Sequence, residues 1–161
     1  MGLFGHNSKG AYSDYDANLI KGAYFTCPET CTADSISVYL LYYTGGVKVK
    51  CAIYRVSDLS LVGVTEEWTV TAAFDDWHVF NFSSPPTLAN EDYILVLWNN
   101  GIVYSYYDYP FAVGRVQGLA YDGFPNPLVP SNNSNKVSIY CTYTPLAAGQ
   151  QLFTLINEMG Y

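Results

Sequence analysis

The sequence has few charged residues, and basic residues are the scarcest among them. Seven Lys and Arg stand against fourteen Asp and Glu in 161 residues, which gives a formal net charge of −7 at pH 7. Proteins that bind nucleic acid neutralise phosphates with Lys and Arg. The chain has no basic run, so we expect neither a nucleic-acid ligand nor attachment to an anionic membrane.

Long apolar runs are also missing. No stretch approaches the ~20 apolar residues that a membrane-spanning helix needs. The first residues, "MGLFGHNSKG", lack a basic segment followed by a long apolar one, so no signal peptide is predicted. We therefore expect no membrane insertion. The protein is expected to be released by assembly or lysis, unless the sequence is not the full precursor.

Catalytic motifs are absent from the sequence. It has two His, no G-x-S-x-G, no H-E-x-x-H and no Gly-rich phosphate loop. In "DDWHVF", His78 follows Asp75 and Asp76, a pattern compatible with a general base or a metal site. A strand His beside a turn with two solvated acids gives the same pattern, and we predict no enzymatic activity.

Metal sites have weak sequence support. A structural Ca²⁺ bound by loop carboxylates is one hypothesis, and solvated turn carboxylates are the alternative. The candidate ligands are Asp14, Asp16, Asp75, Asp76, Asp92 and Asp122. Zinc is disfavoured because "CPETC" has no nearby second pair of ligands. No cofactor is predicted.

The sequence does not determine whether the four Cys form disulfides or remain free thiols. Cys27 and Cys31 enclose "PET", so a small disulfide loop that stabilises by ~2 kcal/mol is one interpretation. Cys51 and Cys141 occupy core-facing positions of two predicted strands, where a bridge would require the strands to pair or face each other. Four buried thiols that pack as small hydrophobes are the alternative.

Period-two alternation of apolar residues dominates the sequence. It appears in "SISVYLLYY", "VKVKCAIY" and "KVSIYCTYT", and turn signals separate the runs. "YILVLW" is apolar at every position, which indicates a central strand covered on both faces. No helical periodicity precedes residue 146. The pattern predicts an all-β fold, an antiparallel two-sheet sandwich of about eight strands with an apolar C-terminal extension.

The order of several motifs resembles a family of small jelly-roll β-sandwich domains. These domains occur in bacteriophage and prophage structural proteins and in secreted surface proteins of bacteria or archaea. The motifs are "LFGHNSKGAYS", "IKGAYFT", "SISVYL", "VKCAIYRV", "LVGVTEEWTV", "WHVFNFSSPPTL", "DYILVLW", "YYD" and "SIYCTYTP". The resemblance covers residues 3–145 and implies a jelly-roll fold. It brings no catalytic residues, and this chain departs from it in its Cys and after Pro145.

Aromatic residues are abundant, with sixteen Tyr, eight Phe and three Trp. Sugars stack on exposed aromatic rings while polar side chains bind their hydroxyls, so a carbohydrate-binding surface is one hypothesis. Its candidate residues are Trp98, Tyr104, Tyr106 and Tyr121. The alternative is that these rings pack inside the sandwich or at a subunit interface.

The last sixteen residues, "LAAGQQLFTLINEMGY", do not continue the strand pattern. Leu152, Leu155, Ile156 and Met159 follow helical spacing, whereas Phe153 and Leu155 would share one face of a strand. Burial of five such side chains stabilises by at most ~7–15 kcal/mol. Ordering sixteen residues costs ~16–30 kcal/mol. The segment therefore needs a groove or an open sheet edge, on its own domain or on a neighbouring subunit. Leu3 and Phe4 are candidate anchors in an N-terminal arm.

These features divide the chain into an arm and first strand region over 1–20, a sandwich over 21–145 and an assembly segment over 146–161. We expect a non-enzymatic structural protein of an extracellular filament or a virion capsid or tail. It would self-assemble as a homo-oligomer or polymer through its terminal segments and Tyr-rich faces. The alternative is a carbohydrate-binding module.

Overall fold

The computed structural model describes residues 1–147, and all regular structure in that range is β-strand. Fifteen strands are present in this part of the chain. They are β1 (Gly2–Gly5), β2 (Tyr12–Asp16), β3 (Leu19–Thr26), β4 (Cys31–Tyr42), β5 (Val47–Arg55), β6 (Leu61–Val64), β7 (Trp68–Val70), β8 (Phe74–Asn81), β9 (Thr87–Leu88), β10 (Asp92–Asn99), β11 (Val103–Asp108), β12 (Gly114–Gly118), β13 (Ser131–Asn133), β14 (Lys136–Val137) and β15 (Ile139–Pro145). Over residues 1–147 no helix is long and apolar enough to cross a membrane.

The strands form two antiparallel sheets, as predicted. One sheet has eight strands in the order β1-β15-β4-β11-β14, with β2 beside β11, and β8 and β9 beside β4. The other has seven strands in the order β13-β12-β3-β10-β5-β6, with β7 beside β5. The main apolar core combines residues of both sheets, among them Ile36, Val38 and Ile139 of the first and Val49, Ile53 and Leu95 of the second.

Strand β10 is buried on both of its faces. It pairs with β3 on one side and β5 on the other. Tyr93, Leu95 and Leu97 point into the main core, while the alternate residues Ile94 and Val96 belong to a second apolar cluster. The interpretation of "YILVLW" as a central strand covered on both sides is therefore confirmed.

The second cluster lies on the outer face of the seven-stranded sheet. There Ile94, Val96 and Trp98 pack with Leu128 and the partly buried Phe124, which come from the connection between β12 and β13. Trp98 and Phe124 have ring centroids 5.2 Å apart. This connection covers the seven-stranded sheet.

The strand count exceeds the predicted number of about eight. Strand β3 was not among the predicted strands because Lys21 and Gly22 interrupt its apolar pattern. The chain nevertheless buries Lys21, whose ammonium lies 2.7 Å from the carboxylate of Asp14 on β2. Strands such as β9 and β14 have two residues each, too few for an alternation to be recognised.

Gly22 allows β3 and β10 to pack closely, and this predicts the effect of a substitution. A Cβ at Gly22 would lie 1.9 Å from the carbonyl oxygen of Leu95, whereas a Cβ at Gly118 would meet nothing within 4 Å. We expect Gly22→Ala to lower the free energy of unfolding by about 1–3 kcal/mol because backbone must move. Gly118→Ala, its control in strand β12, should change it by less than about 0.5 kcal/mol. Denaturant titration of both variants measures this, and equal stabilities would contradict it.

Candidate functional site: the aromatic face of the eight-stranded sheet

Aromatic side chains gather on the outer face of the eight-stranded sheet. Tyr104 and Tyr106 of β11 point away from the core because the intervening Ser105 and the preceding Val103 are buried. Residues distant in sequence join them through strand pairing. We call the whole set the aromatic face; it consists of Tyr15, Tyr39, Tyr43, Trp77, Tyr104, Tyr106 and Tyr140.

Strand register places these rings side by side. Tyr15 of β2 is paired with Tyr104, and their ring centroids are 5.4 Å apart. Tyr39 of β4 is paired with Trp77 of β8, at 5.5 Å. Such cross-strand aromatic pairs stabilise a sheet by roughly 0.2–1 kcal/mol each.

Further ring contacts connect the remaining members. Tyr39 lies 5.1 Å from Tyr106, and Trp77 lies 5.0 Å from Tyr140. Tyr43 lies 5.8 Å from Tyr104. Most neighbouring rings meet edge to face, the arrangement that the aromatic quadrupole favours.

Several rings remain accessible to solvent. Tyr43 is 62% exposed and Tyr15 is 57% exposed. Beside Tyr43 lies an open depression of about 570 Å³, within the range of about 300–1,000 Å³ for small-molecule sites. Leu41, Tyr43, Phe74, Asp75 and Tyr106 are among the residues that line it. The depression thus combines apolar and aromatic walls with one carboxylate.

A lysine from the connection between β1 and β2 reaches this face. The Lys9 ammonium lies 4.5 Å from the ring centroid of Tyr39 and 4.3 Å from that of Tyr106. It also lies 3.5 Å from a carboxylate oxygen of Asp75 and 3.3 Å from the hydroxyl of Tyr39. The hydrogen bond to Tyr39 raises the pKa of Lys9 above its usual value.

The structure separates the four predicted glycan-binding residues. Tyr104 and Tyr106 belong to the aromatic face. Trp98 and Tyr121 lie on the outer side of the other sheet, with ring centroids 5.1 Å apart. Trp98 is fully buried, and its indole N–H donates to the carbonyl of Leu119 at 3.3 Å. The expectation of an exposed stacking ring at Trp98 is therefore corrected, because the connection between β12 and β13 covers it.

Lys50 of β5 contacts the connection between β12 and β13 that covers the seven-stranded sheet. Its ammonium lies 4.5 Å from the centroid of Tyr121, 5.0 Å from that of Trp98 and 5.2 Å from that of Phe124, and it donates to the carbonyl of Asp122. Burial lowers the pKa of Lys50. Its contacts with Tyr121 and Phe124 and its hydrogen bond to Asp122 join β5 to the covering connection, while Trp98 is its cross-strand neighbour on β10.

A second depression, of about 450 Å³, adjoins this cover. Two of its side chains, Lys48 and Glu67, pair at 2.9 Å, and Glu67 also accepts a 2.9 Å hydrogen bond from Tyr121. Tyr121 is the one aromatic residue that lines it, so it offers a sugar fewer stacking partners than the aromatic face does.

The candidate calcium ligands are dispersed. Asp14 pairs with Lys21, and Asp75 pairs with Lys9. Asp76 accepts from the backbone N–H of Trp77, Asp92 accepts from the hydroxyl of Thr26, and the carbonyl of Asp122 accepts from Lys50. The side chain of Asp16 lies outside the described part of the structure. Across the described residues, no group of three or more His, Cys, Asp or Glu is arranged to hold a metal ion.

His78 packs on aromatic rings. Its imidazole stacks on Trp68 with centroids 3.6 Å apart and an angle of 8°, and it meets Phe80 at 4.7 Å. The neighbouring Asp75 and Asp76 make the contacts given above. His78 therefore packs as a strand residue among aromatic side chains.

All four Cys are buried free thiols. The sulfurs of Cys27 and Cys31 are 3.4 Å apart, and this contact lowers the pKa of Cys27 and raises that of Cys31. Burial raises the pKa of both Cys51 and Cys141. The structure thus shows the alternative arrangement, in which the thiols pack in the core, and a disulfide between Cys27 and Cys31 stays a prediction.

The predicted assembly residues fall into two groups. Strand β1 pairs with β15 of its own chain, and Phe4 is 5% exposed because its ring packs against Tyr93 and Tyr143. Phe4 is thus corrected from an intersubunit anchor to a core residue, whereas Leu3 is 47% exposed at the sheet edge. The other candidates, Leu152, Phe153, Leu155, Ile156 and Met159, lie outside the described residues.

Sequence reasoning missed several residues of this site, namely Tyr15, Tyr39, Tyr43, Trp77, Tyr140 and the adjacent Lys9. Their signal was present only as single positions on five separate segments. Nothing local in the sequence indicates that these segments become neighbours.

No protein-family model and no curated protein sequence matches the chain.

The lowered pKa values of His6 and His78 predict how the free energy of unfolding depends on pH. Burial lowers the pKa of His78 below 6.5. The pKa of His6 is lowered by burial and by Lys136, although Asp108 lies 2.9 Å away. The unfolded state then binds more protons just below pH 6.5, so the free energy of unfolding falls as pH decreases from about 7.5 to 5.5.

The variant His78→Phe keeps an aromatic ring against Trp68 and removes one titrating group. Chemical denaturation at several pH values should therefore give this variant a shallower decline than the natural protein. Identical slopes over that window would contradict the assignment of part of the decline to His78.

Proposed function

We propose that the protein is a non-enzymatic carbohydrate-binding module whose ligand lies on the aromatic face. The observation that carries the proposal is the open depression of about 570 Å³ that Tyr43, Tyr106 and Asp75 help to line. Sugar rings have apolar C–H faces that pack on aromatic rings and hydroxyls that need polar partners. The aromatic face offers both kinds of partner.

The contrast between the two sheets supports this location. The seven-stranded sheet has its outer aromatic rings covered by Leu128, Phe124 and the Lys50 contacts. On the eight-stranded sheet, Tyr15 and Tyr43 stay more than half exposed. A face left open while its counterpart is covered is a natural place for a ligand.

We further propose that the fold is a jelly roll and that the module belongs to a virion or an extracellular filament. Successive long strands alternate between the sheets, since β3, β5 and β10 belong to one and β4, β8 and β11 to the other. This alternation and the motif resemblance support the jelly roll. The virion or filament setting rests on the resemblance.

Substitution of a central ring tests carbohydrate binding. A glycan array of soluble oligosaccharides identifies the bound sugar, and calorimetry then measures its affinity for the natural protein, for Tyr43→Ala in the depression and for the neighbouring Tyr104→Ala. We expect about tenfold weaker binding, because each variant loses a stacking ring worth roughly 1.4 kcal/mol. Tyr109→Ala, which alters another exposed tyrosine outside the aromatic face, is the matched control. Failure of the natural protein to bind any glycan, or unchanged affinity in both ring variants, would refute the proposal.

Self-assembly is a second candidate function, favoured by an edge strand near the N-terminus. Strand β1 forms the edge of its sheet beside β15, and Gly2 is paired with Tyr143. The exposed Leu3 would then contact a neighbouring subunit at this edge of the sheet. The apolar sequence beyond residue 147 also favours assembly, because it needs a groove or a sheet edge to become ordered.

A truncation tests this second function. Size-exclusion chromatography and electron microscopy should show large oligomers, rings or filaments for the full chain, and a monomer for the variant ending at Ala147. Thermal unfolding serves as the control, because both proteins retain β1–β15. Monomers of both proteins at high concentration would rule out assembly through the C-terminal segment.

A further inference from the structure

We infer that Lys9 and Asp75 are the polar pair that binds the hydroxyls of the ligand, and that this ligand is a single soluble glycan chain. A crystalline polysaccharide surface is thereby excluded as the ligand. The inference rests on the proposed function, which it makes more specific. It draws on the orientation of the rings and on the placement of the two charges.

Ring orientation argues against a flat binding surface. The planes of Tyr39 and Trp77 meet at 83°, those of Tyr39 and Tyr106 at 80°, and those of Tyr43 and Tyr104 at 84°. The face of a crystalline polysaccharide is planar, so the rings that stack on it must lie parallel to one plane. In each of these perpendicular pairs, at most one ring can do so.

The more nearly parallel tyrosine pair lies elsewhere. Tyr12 and Tyr107 stack at 26° with centroids 5.9 Å apart. Alternation along β11 places Tyr107 on the opposite side from Tyr104 and Tyr106. Neighbouring rings of the aromatic face thus meet edge to face, an arrangement that fits one flexible chain whose sugar rings turn relative to one another.

The Lys9–Asp75 pair lies where such a chain would present hydroxyls. Asp75 lines the depression, and the Lys9 ammonium lies 3.5 Å from it and 4.3 Å from the centroid of Tyr106, which also lines the depression. An ammonium donates hydrogen bonds and a carboxylate accepts them. Adjacent hydroxyls of a sugar ring could thus bind as acceptor to Lys9 and as donor to Asp75.

Both charges are available to a ligand. The side chain of Lys9 is 42% exposed and that of Asp75 is 52% exposed. The rings of Tyr39 and Tyr106 orient the ammonium, so less freedom is lost when a sugar binds. Hydrogen bonds to ionised groups are also stronger than those between neutral partners. Such bonds suit a sugar, because its surface is rich in hydroxyls.

The experiment compares Lys9→Met and Asp75→Asn with the natural protein and with Tyr104→Ala. Calorimetry uses the soluble oligosaccharide that the glycan array identifies. We expect each of Lys9→Met and Asp75→Asn to weaken binding by about tenfold or more, because each removes a charged hydrogen-bonding partner. The double variant should bind little worse than either single variant, since the two side chains act as a pair.

Controls separate ligand binding from a structural role. Lys48→Met breaks a comparable surface pair with Glu67 and should leave affinity unchanged. Thermal unfolding should give Lys9→Met a midpoint close to that of the natural protein, because exposed ion pairs contribute little to stability. A purely structural role of Lys9 predicts the opposite, an altered midpoint with unchanged affinity.

Sedimentation with microcrystalline cellulose and with crystalline chitin tests the form of the ligand. We expect the protein to stay in solution with both, while soluble oligosaccharides bind. Retention on a crystalline polymer would overturn the inference about chain form, and unchanged affinity of Lys9→Met and Asp75→Asn would overturn the inference about the pair. Both outcomes leave the proposed function intact if Tyr104→Ala still weakens binding. A natural protein that binds no glycan overturns the proposed function and the inference with it.

Discussion

Burial of β10 on both faces is the constraint on which the rest of the structure depends. Its residues alternate between two apolar clusters, so the chain must cover the strand from both sides. The eight-stranded sheet provides one cover. The connection between β12 and β13, held by Lys50 over three aromatic rings, provides the other. The eight-stranded sheet needs no second cover, and its outer face stays free for the aromatic residues.

The aromatic face satisfies a different requirement, because large rings on an open sheet must be stable without being buried. Edge-to-face contacts between Tyr39, Trp77 and Tyr106 let each ring stabilise its neighbours while part of its surface remains in water. Lys9 adds a cation above two of these rings. The face is therefore preorganised before any ligand arrives, which reduces the entropy lost on binding.

The features predicted correctly from sequence are those that local alternation encodes. The antiparallel all-β class, the buried β10 and the core positions of Cys51 and Cys141 all follow from period-two patterns. The aromatic face was predicted only at Tyr104 and Tyr106, which share one strand. Its other members come from distant strands whose register depends on the whole fold. Trp98 was assigned an exposed role because the segment that covers it lies more than twenty residues later.

The three tryptophans occupy three different settings. Trp98 is enclosed by the covering connection, Trp68 is stacked on His78, and Trp77 stands on the aromatic face between Tyr39 and Tyr140. Indole fluorescence depends on local polarity, so each setting gives its own emission. Occupation of the aromatic face would perturb Trp77, whereas Trp98, enclosed on the other sheet, would keep its emission. The molecule thus carries an intrinsic optical reporter at its candidate site, with an internal reference on the opposite sheet.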